Sequence, residues 1–288
     1  MHRIATNITR LFVIALIATL VLPMMGCGEN KRQKQKPSHA KNYPTNKGGP
    51  GASATTASVD TSNLGPAGGK VDLSNPATIK GAVRFEGTPK AQTVQILTKD
   101  KWCSANYAGT VKSEDLLVDG KAGLKNVLVH LVGLDDHGGA FPEATDAFTF
   151  VQQGCKYTPH IITARVDQDI KIINRDNTTH NYHFVGRRND EINKTQNGVA
   201  EAVESFSKVE IGARFKCDVH PWMIARVHIF KHPCFAVSAA DGSYTISGVP
   251  PGRYLLSFWH ERCGKSSQEV TVAAGETKAI GDVKFSDD

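Results

Sequence analysis

Apolar and polar residues alternate at period two through most of the chain beyond residue 76. Short runs of this kind, bounded by Gly, Pro, Asn or Asp, cover Thr78–Phe85, Leu124–Val132, Ala147–Val151, Ile161–Val166 and Asp169–Ile173. They resume at Phe206–Ile211, Ala213–Cys217, Ala225–Phe230, Tyr244–Ile246, Arg253–Trp259, Glu269–Val272 and Lys278–Val283. Alternation at this period puts successive side chains on opposite faces of a half-buried strand. Val199–Glu204 alone has a brief helical spacing. The pattern predicts an all-β chain of sandwich or Greek-key type. About 210 residues take part, enough for one large or two small cores.

The first 76 residues follow another pattern. Met1–Arg10 is short and basic, and Leu11–Leu22 is an apolar run of signal-sequence length, too short to span a bilayer. It ends in Met24-Met25-Gly26-Cys27, which resembles a bacterial lipobox with Met24 in the place usually held by Leu. That resemblance implies a signal peptide over 1–26 and a lipid on Cys27. An ordinary secretory signal cut nearby is the alternative. Gly28, rather than Asp, follows the cysteine, which in such lipoproteins implies release to the outer membrane. The expected location is the cell envelope, lipid-anchored and facing the periplasm or the exterior.

Residues 27–76 are rich in Lys, Gly, Ser, Thr, Pro and Asn and poor in large apolar groups. Such a segment buries too little surface to offset its ordering entropy and is expected to be a tether with a reach of roughly 40 Å. The run Lys31-Arg32-Gln33-Lys34-Gln35-Lys36 suits either anionic lipid or solvent. The chain's formal charge of +6 leans on this region and on the signal. Nucleic-acid binding is not expected, since no basic surface interleaved with aromatic residues is legible.

The candidate chemistry sits in seven residues, Cys217-Asp-Val-His220-Pro-Trp-Met223. The spacing C-x2-H-x2-M delivers a thiolate, an imidazole and a thioether to one turn. With one more histidine this is the donor set of a mononuclear blue copper centre. His180-Asn181 supplies the candidate, just after the run Asp169–Asn174. Phe215 and Cys217 share strand parity and so face one way. Asn181, beside one ligand, is placed to bond the backbone of the ligand loop. Pro221 stiffens the loop. Zinc is a weaker fit because a structural zinc site wants four good ligands. A disulfide at Cys217 is the bland alternative. His183 points to the face opposite His180 and is a reserve ligand. His160, near Cys155 and Tyr157, marks a second candidate metal site. His228 and His232 read as satisfied core histidines.

Residues 157–174, then His180-Asn181, then Cys217–Met223, resemble a cupredoxin, and within that group amicyanin. The likeness spans about Ala147–Lys231 and departs from the pattern at Gly186–Glu204, which is long, polar and irregular. It implies a Greek-key sandwich over 146–232 and one type 1 copper. His180, Cys217 and His220 would be in-plane ligands and Met223 the weak axial one. It also implies a redox protein docking near His220 and Trp222, with His220 as the electron portal.

Residues 235–258, with the turns Asp241-Gly242 and Pro251-Gly252, resemble a carboxypeptidase regulatory-like sandwich of transthyretin type. Gly81-Ala-Val83 and Lys125-Asn-Val127-Leu-Val129 match its first strands. A small sandwich split between 77–135 and 234–288, with the copper domain inserted, is therefore expected; tandem domains are the alternative. Cys103, Cys155, Cys234 and Cys263 suit an oxidising compartment and allow three pairings, of which Cys103 with Cys155 and Cys234 with Cys263 is the expected one. His260-Glu261 ends a strand and reads as structural. No Gly-rich phosphate loop, G-x-S-x-G or H-E-x-x-H is present. The chain reads as an electron carrier rather than an enzyme. A copper carrier or sequestering protein, and a metal-free adhesion or glycan-binding module, are the alternatives.

Overall fold

The computed structural model describes residues 63–90, 93–95, 100–106 and 110–287. Cys27, the signal and residues 27–62 of the expected tether lie outside the described residues. The chain is almost entirely β. Among the described residues, no helix is long and apolar enough to cross a membrane.

Two hydrophobic cores form, each between a pair of sheets. In the first, Gly252–His260 pairs antiparallel with Gly264–Val272 on one side and Leu128–Val132 on the other. Leu128–Val132 pairs in turn with Phe235–Val237. Facing them, Ala77–Phe85 runs antiparallel to Ser243–Val249 and parallel to Thr277–Ala279 and Val283–Phe285. Ile79, Val83, Leu131, Ile246, Leu256 and Phe258 fill the space between. The Asp241-Gly242 turn brings the chain against the Ala77–Phe85 strand. A Cβ on Gly242 would sit 2.2 Å from the Val83 carbonyl oxygen, so only glycine fits there.

The second core is built by residues 148–230. One sheet runs in the order Ile192–Asn197, Thr179–Val185, Glu210–Lys216, Ile224–Phe230, Ile161–Arg165. The other runs Ala200–Glu204, Ile170–Asn174, Phe148–Gln152, Tyr157–Thr158. Phe215 is the hub of an aromatic cluster, with ring centroids 5.1 Å from Phe150, 5.5 Å from Phe184 and 6.3 Å from Phe206. These rings bring large apolar area to one strand and fix which face of Glu210–Lys216 turns inward. Between the cores, His228 packs on Trp259 at 4.7 Å and Arg226 Nε donates to Glu261 at 2.8 Å.

Four expectations need correction. Val199–Glu204 is not helical. Ala200–Glu204 is an edge strand paired with Ile170–Asn174, and pairing decides its form where its own spacing does not. The segment Gly186–Glu204 is accordingly ordered into two strands rather than a loop. The end of the tether joins the fold: Gly65-Pro66 pairs with Gly252-Arg253, and Val71 and Leu73 pack on the first core. Finally, Cys234 and Cys263 are free thiols. Cys234 lies level with Leu131, opposite Leu256, with Leu128–Val132 between the two strands. Cys263 lies past His260, four residues or about 13 Å farther along. That exceeds the span of roughly 7 Å between Cα atoms that a disulfide tolerates. Burial pushes both thiols up to about 12.

The buried histidines make the fold acid-sensitive. Burial lowers His130, His232 and His260 from 6.5 to about 4 and His228 to about 3. The unfolded chain therefore binds more protons than the folded one between pH 6.5 and those values, and stability falls as pH falls through that window. We expect a loss of roughly 1 kcal/mol or more for each such histidine between pH 7 and pH 5. Urea unfolding at the two pH values checks this. An unchanged midpoint would contradict the buried placement.

Candidate metal centre

The Cys217 strand and the His180 strand are neighbours, with Phe184 opposite Phe215 and His183 opposite Lys216. Because Phe215 must face the core, Cys217, two residues on, faces the same way at the strand's end. The chain then turns through His220. Met223 N donates to the His220 carbonyl at 2.9 Å, and Cys217 N donates to the Met223 carbonyl at 3.1 Å. These two bonds close the loop and set three potential ligands at the mouth of one strand pair.

His180, Cys217 and His220 come together: one ligand atom from each lies within 4.8 Å of the others, and all three residues are buried. The two Nδ1 atoms are 2.9 Å apart, and Cys217 Sγ is 3.8 Å from His220 Nδ1. Met223 is buried in the same core. Asn181 links the two halves. Its Oδ1 accepts from Asp218 N at 2.7 Å and lies 3.2 Å from Cys217 Sγ. Its Nδ2 donates to Asn193 Oδ1 at 2.7 Å.

Burial alone would raise the Cys217 thiol, but hydrogen bonds from His180 and His220 outweigh it and bring the group down to about 6. Burial alone would lower His180, but its hydrogen bond to Asp176 and the neighbouring sulfur raise it to about 9. The arrangement thus favours a thiolate beside an imidazolium, a pocket prepared for a cation in place of the proton. Two imidazole nitrogens and one thiolate form a donor set that suits copper, and Met223 closes the same loop through its backbone.

Two residues that strand and loop patterns do not reveal complete the site. Asp176 Oδ2 accepts from His180 Nε2 at 2.8 Å, and its carboxylate also accepts from Gly154 N and Cys155 N at 2.7 and 2.8 Å. Asp100 Oδ2 lies 3.3 Å from His220 Nε2, while its Oδ1 accepts from Trp102 N and Cys103 N. Those last bonds start the short helix Lys101–Asn106. Cys103 in that helix is joined to Cys155, and its Sγ is 3.4 Å from His220 Nε2. The signal for Asp176 is its place four residues before His180. Asp100 is 120 positions from His220 and had only the expected Cys103–Cys155 bridge to point toward it.

His220 consequently has no exposed edge. Asp100 and the bridged cysteines cover the surface where an electron portal was expected, and Trp222 packs beside it with ring centroids 5.1 Å apart. The other sequence candidates are placed elsewhere. His183 Nδ1 bonds Asp218 Oδ2 at 2.8 Å, and its Nε2 meets Glu191. His160 pairs with Glu261, and Cys155 is used in the bridge, so the two do not form a joint site. His228 Nδ1 accepts from Gly212 N, and His232 Nδ1 accepts from Cys234 N.

No family model matches the chain, and no curated protein does. Among solved structures, the copper nitrite reductase of Thermus scotoductus SA-01 aligns at 14% identity with a TM-score of 0.28, over 32% of this chain. The chain spans 26% of that enzyme. An oxidised amicyanin variant aligns at 20% identity and TM-score 0.27, over 30% of this chain and 84% of that one. A purple cupredoxin of Nitrosopumilus maritimus aligns at 17% identity and TM-score 0.25, over 28% of this chain and 98% of that one.

Asn181→Ala removes the bond that ties the ligand loop to the His180 strand. It should cost roughly 1–3 kcal/mol of stability and weaken copper binding about 10–100-fold. Urea unfolding and competition with a copper chelator measure the two effects.

Proposed function

We propose that this chain carries single electrons through one mononuclear copper centre held by His180, Cys217, His220 and Met223. The observation that carries the reading is the convergence of His180, Cys217 and His220, all three buried, with one ligand atom from each within 4.8 Å of the others. Bound copper supplies a one-electron couple between Cu(I) and Cu(II). The chain's residues hold it. Asn181 fixes the loop. Asp176 and Asp100 occupy the outer nitrogens of the two histidines and leave the inner ones for a ligand. The aromatic core under Phe215 and the bridged helix keep water out. A cage set by packing rearranges little on gain or loss of one electron, and no substrate needs to reach the ion. The chain is therefore read as a carrier rather than a catalyst.

The reading extends to the whole chain. Cys27 would carry the lipid, with the copper domain held outside the membrane on a tether that ends where Gly65-Pro66 meets Gly252-Arg253. The antiparallel pairing of Leu128–Val132 with Gly252–His260 supports one regulatory-like sandwich split around the copper domain. The full burial of His220 favours a second reading, retention of copper without redox cycling.

Cys217→Ala should abolish the intense visible charge-transfer band that the wild type shows with Cu(II). Met223→Gln should keep the copper and lower the reduction potential; an unchanged potential would argue against axial ligation. Reversible voltammetry of the wild type separates electron transfer from retention.

A further inference from the structure

A buried redox centre exchanges electrons through whatever group touches a ligand on one side and solvent on the other. His180 and His220 have no exposed surface, and Cys217 and Met223 are each 1% exposed, so an outside reagent cannot touch the four of them. Asp100 and the bridged Cys103 lie against the outer nitrogen of His220 and cover it.

The Trp222 indole meets both conditions. Its ring packs on His220 with centroids 5.1 Å apart and planes inclined at 50°. It is only partly buried against the second core. It also lines a cleft of about 160 Å³, whose walls include Ser113 and Glu261. The ring is anchored at two points. Its Nε1 donates to the Cys155 carbonyl at 3.0 Å. The backbone bond from Met223 N to the His220 carbonyl closes the turn that carries it. Indole suits such a place, with a broad apolar face for packing and a polar edge that takes a fixed partner. The ring is therefore held at one angle on the imidazole instead of swinging at the surface.

We infer that the Trp222 indole, and not the edge of His220, is the point where electrons enter and leave the centre, by way of this cleft. One electron passes from bound Cu(I) to an outside acceptor, or from an outside donor to bound Cu(II). The indole is neither oxidised nor reduced, and no bond forms or breaks; the ring supplies orbital overlap where a gap or water would conduct poorly. The portal rests on the electron-carrier reading. It reconciles a sealed His220 with a centre that exchanges electrons, the point on which retention of copper would otherwise be favoured.

The test follows, by stopped flow, oxidation of the Cu(I)-loaded full chain by tris(phenanthroline)cobalt(III), an outer-sphere oxidant too wide to enter the cleft. Trp222→Leu should slow the reaction at least tenfold and leave the visible band, the copper content and the reduction potential as in the wild type. Trp222→Phe, which keeps a ring on His220, should recover most of the rate. Ser113→Phe, which fills the cleft from its wall, should slow oxidation as well. Ala105→Phe, on an exposed position of the helix that covers His220, should not. A second readout needs no copper: acrylamide should quench the Trp222 fluorescence of the copper-free chain, taken as the difference from Trp222→Phe. This readout and Ser113→Phe decide the matter even where Trp222→Leu fails to fold. Wild-type rates in both Trp222→Leu and Ser113→Phe overturn the portal. So does an unquenched Trp222 ring, a rate lost only in Ala105→Phe, or a shift in potential that accounts for the slowing. A wild type with no reversible copper couple refutes the electron-carrier reading and the portal with it.

Discussion

Two imidazoles bring their inner nitrogens together beside one sulfur only where other groups hold their remaining nitrogens. Here both outer nitrogens face carboxylates: His180 Nε2 donates to Asp176, and Asp100 lies against His220 Nε2. Everything else about the site follows from keeping those partners in place. Asp176 is fixed by two backbone donors, one of them from Cys155. Asp100 is fixed because its other oxygen starts the helix that carries Cys103. The Cys103–Cys155 bridge therefore braces the neighbours of both histidines with one covalent link. A bridge closing a loop of this length contributes roughly 2–4 kcal/mol.

The charges inside this shell explain why the site has to be dry. Cys217 sits at about 6 and His180 at about 9, so in neutral solution a thiolate and an imidazolium share the interior. Away from water their attraction is stronger than at a surface. A cation held there in place of the His180 proton would meet the same field. The shell of rings around Phe215, with Tyr182 at 6.3 Å and Phe150 at 5.1 Å, supplies the exclusion of water.

Much of this was legible in the chain. Period-two runs marked most of the strands, because half-buried strands must alternate. The meeting of Cys217 with His220, and the bonds that Asn181 makes to their loop, were legible in short-range spacing and strand parity. What escaped was decided at long range. Ala200–Glu204 has a helical spacing but is a strand because Ile170–Asn174 offers it an open edge. Asp100 escaped because nothing local ties it to a histidine 120 positions later. The exposure of His220 was misjudged for the same reason: the helix that buries it, Lys101–Asn106, comes from the segment before the first strand of the second core. Cys234 and Cys263 matched by count but not by register.

The most direct test of the central claim is copper K-edge absorption on the full chain loaded with one equivalent of copper. The account predicts one short sulfur at about 2.3 Å and two nitrogens at about 2.0–2.1 Å, distances of the kind seen for thiolate and imidazole ligands to zinc. A first shell of nitrogen and oxygen alone, with no sulfur, would contradict it.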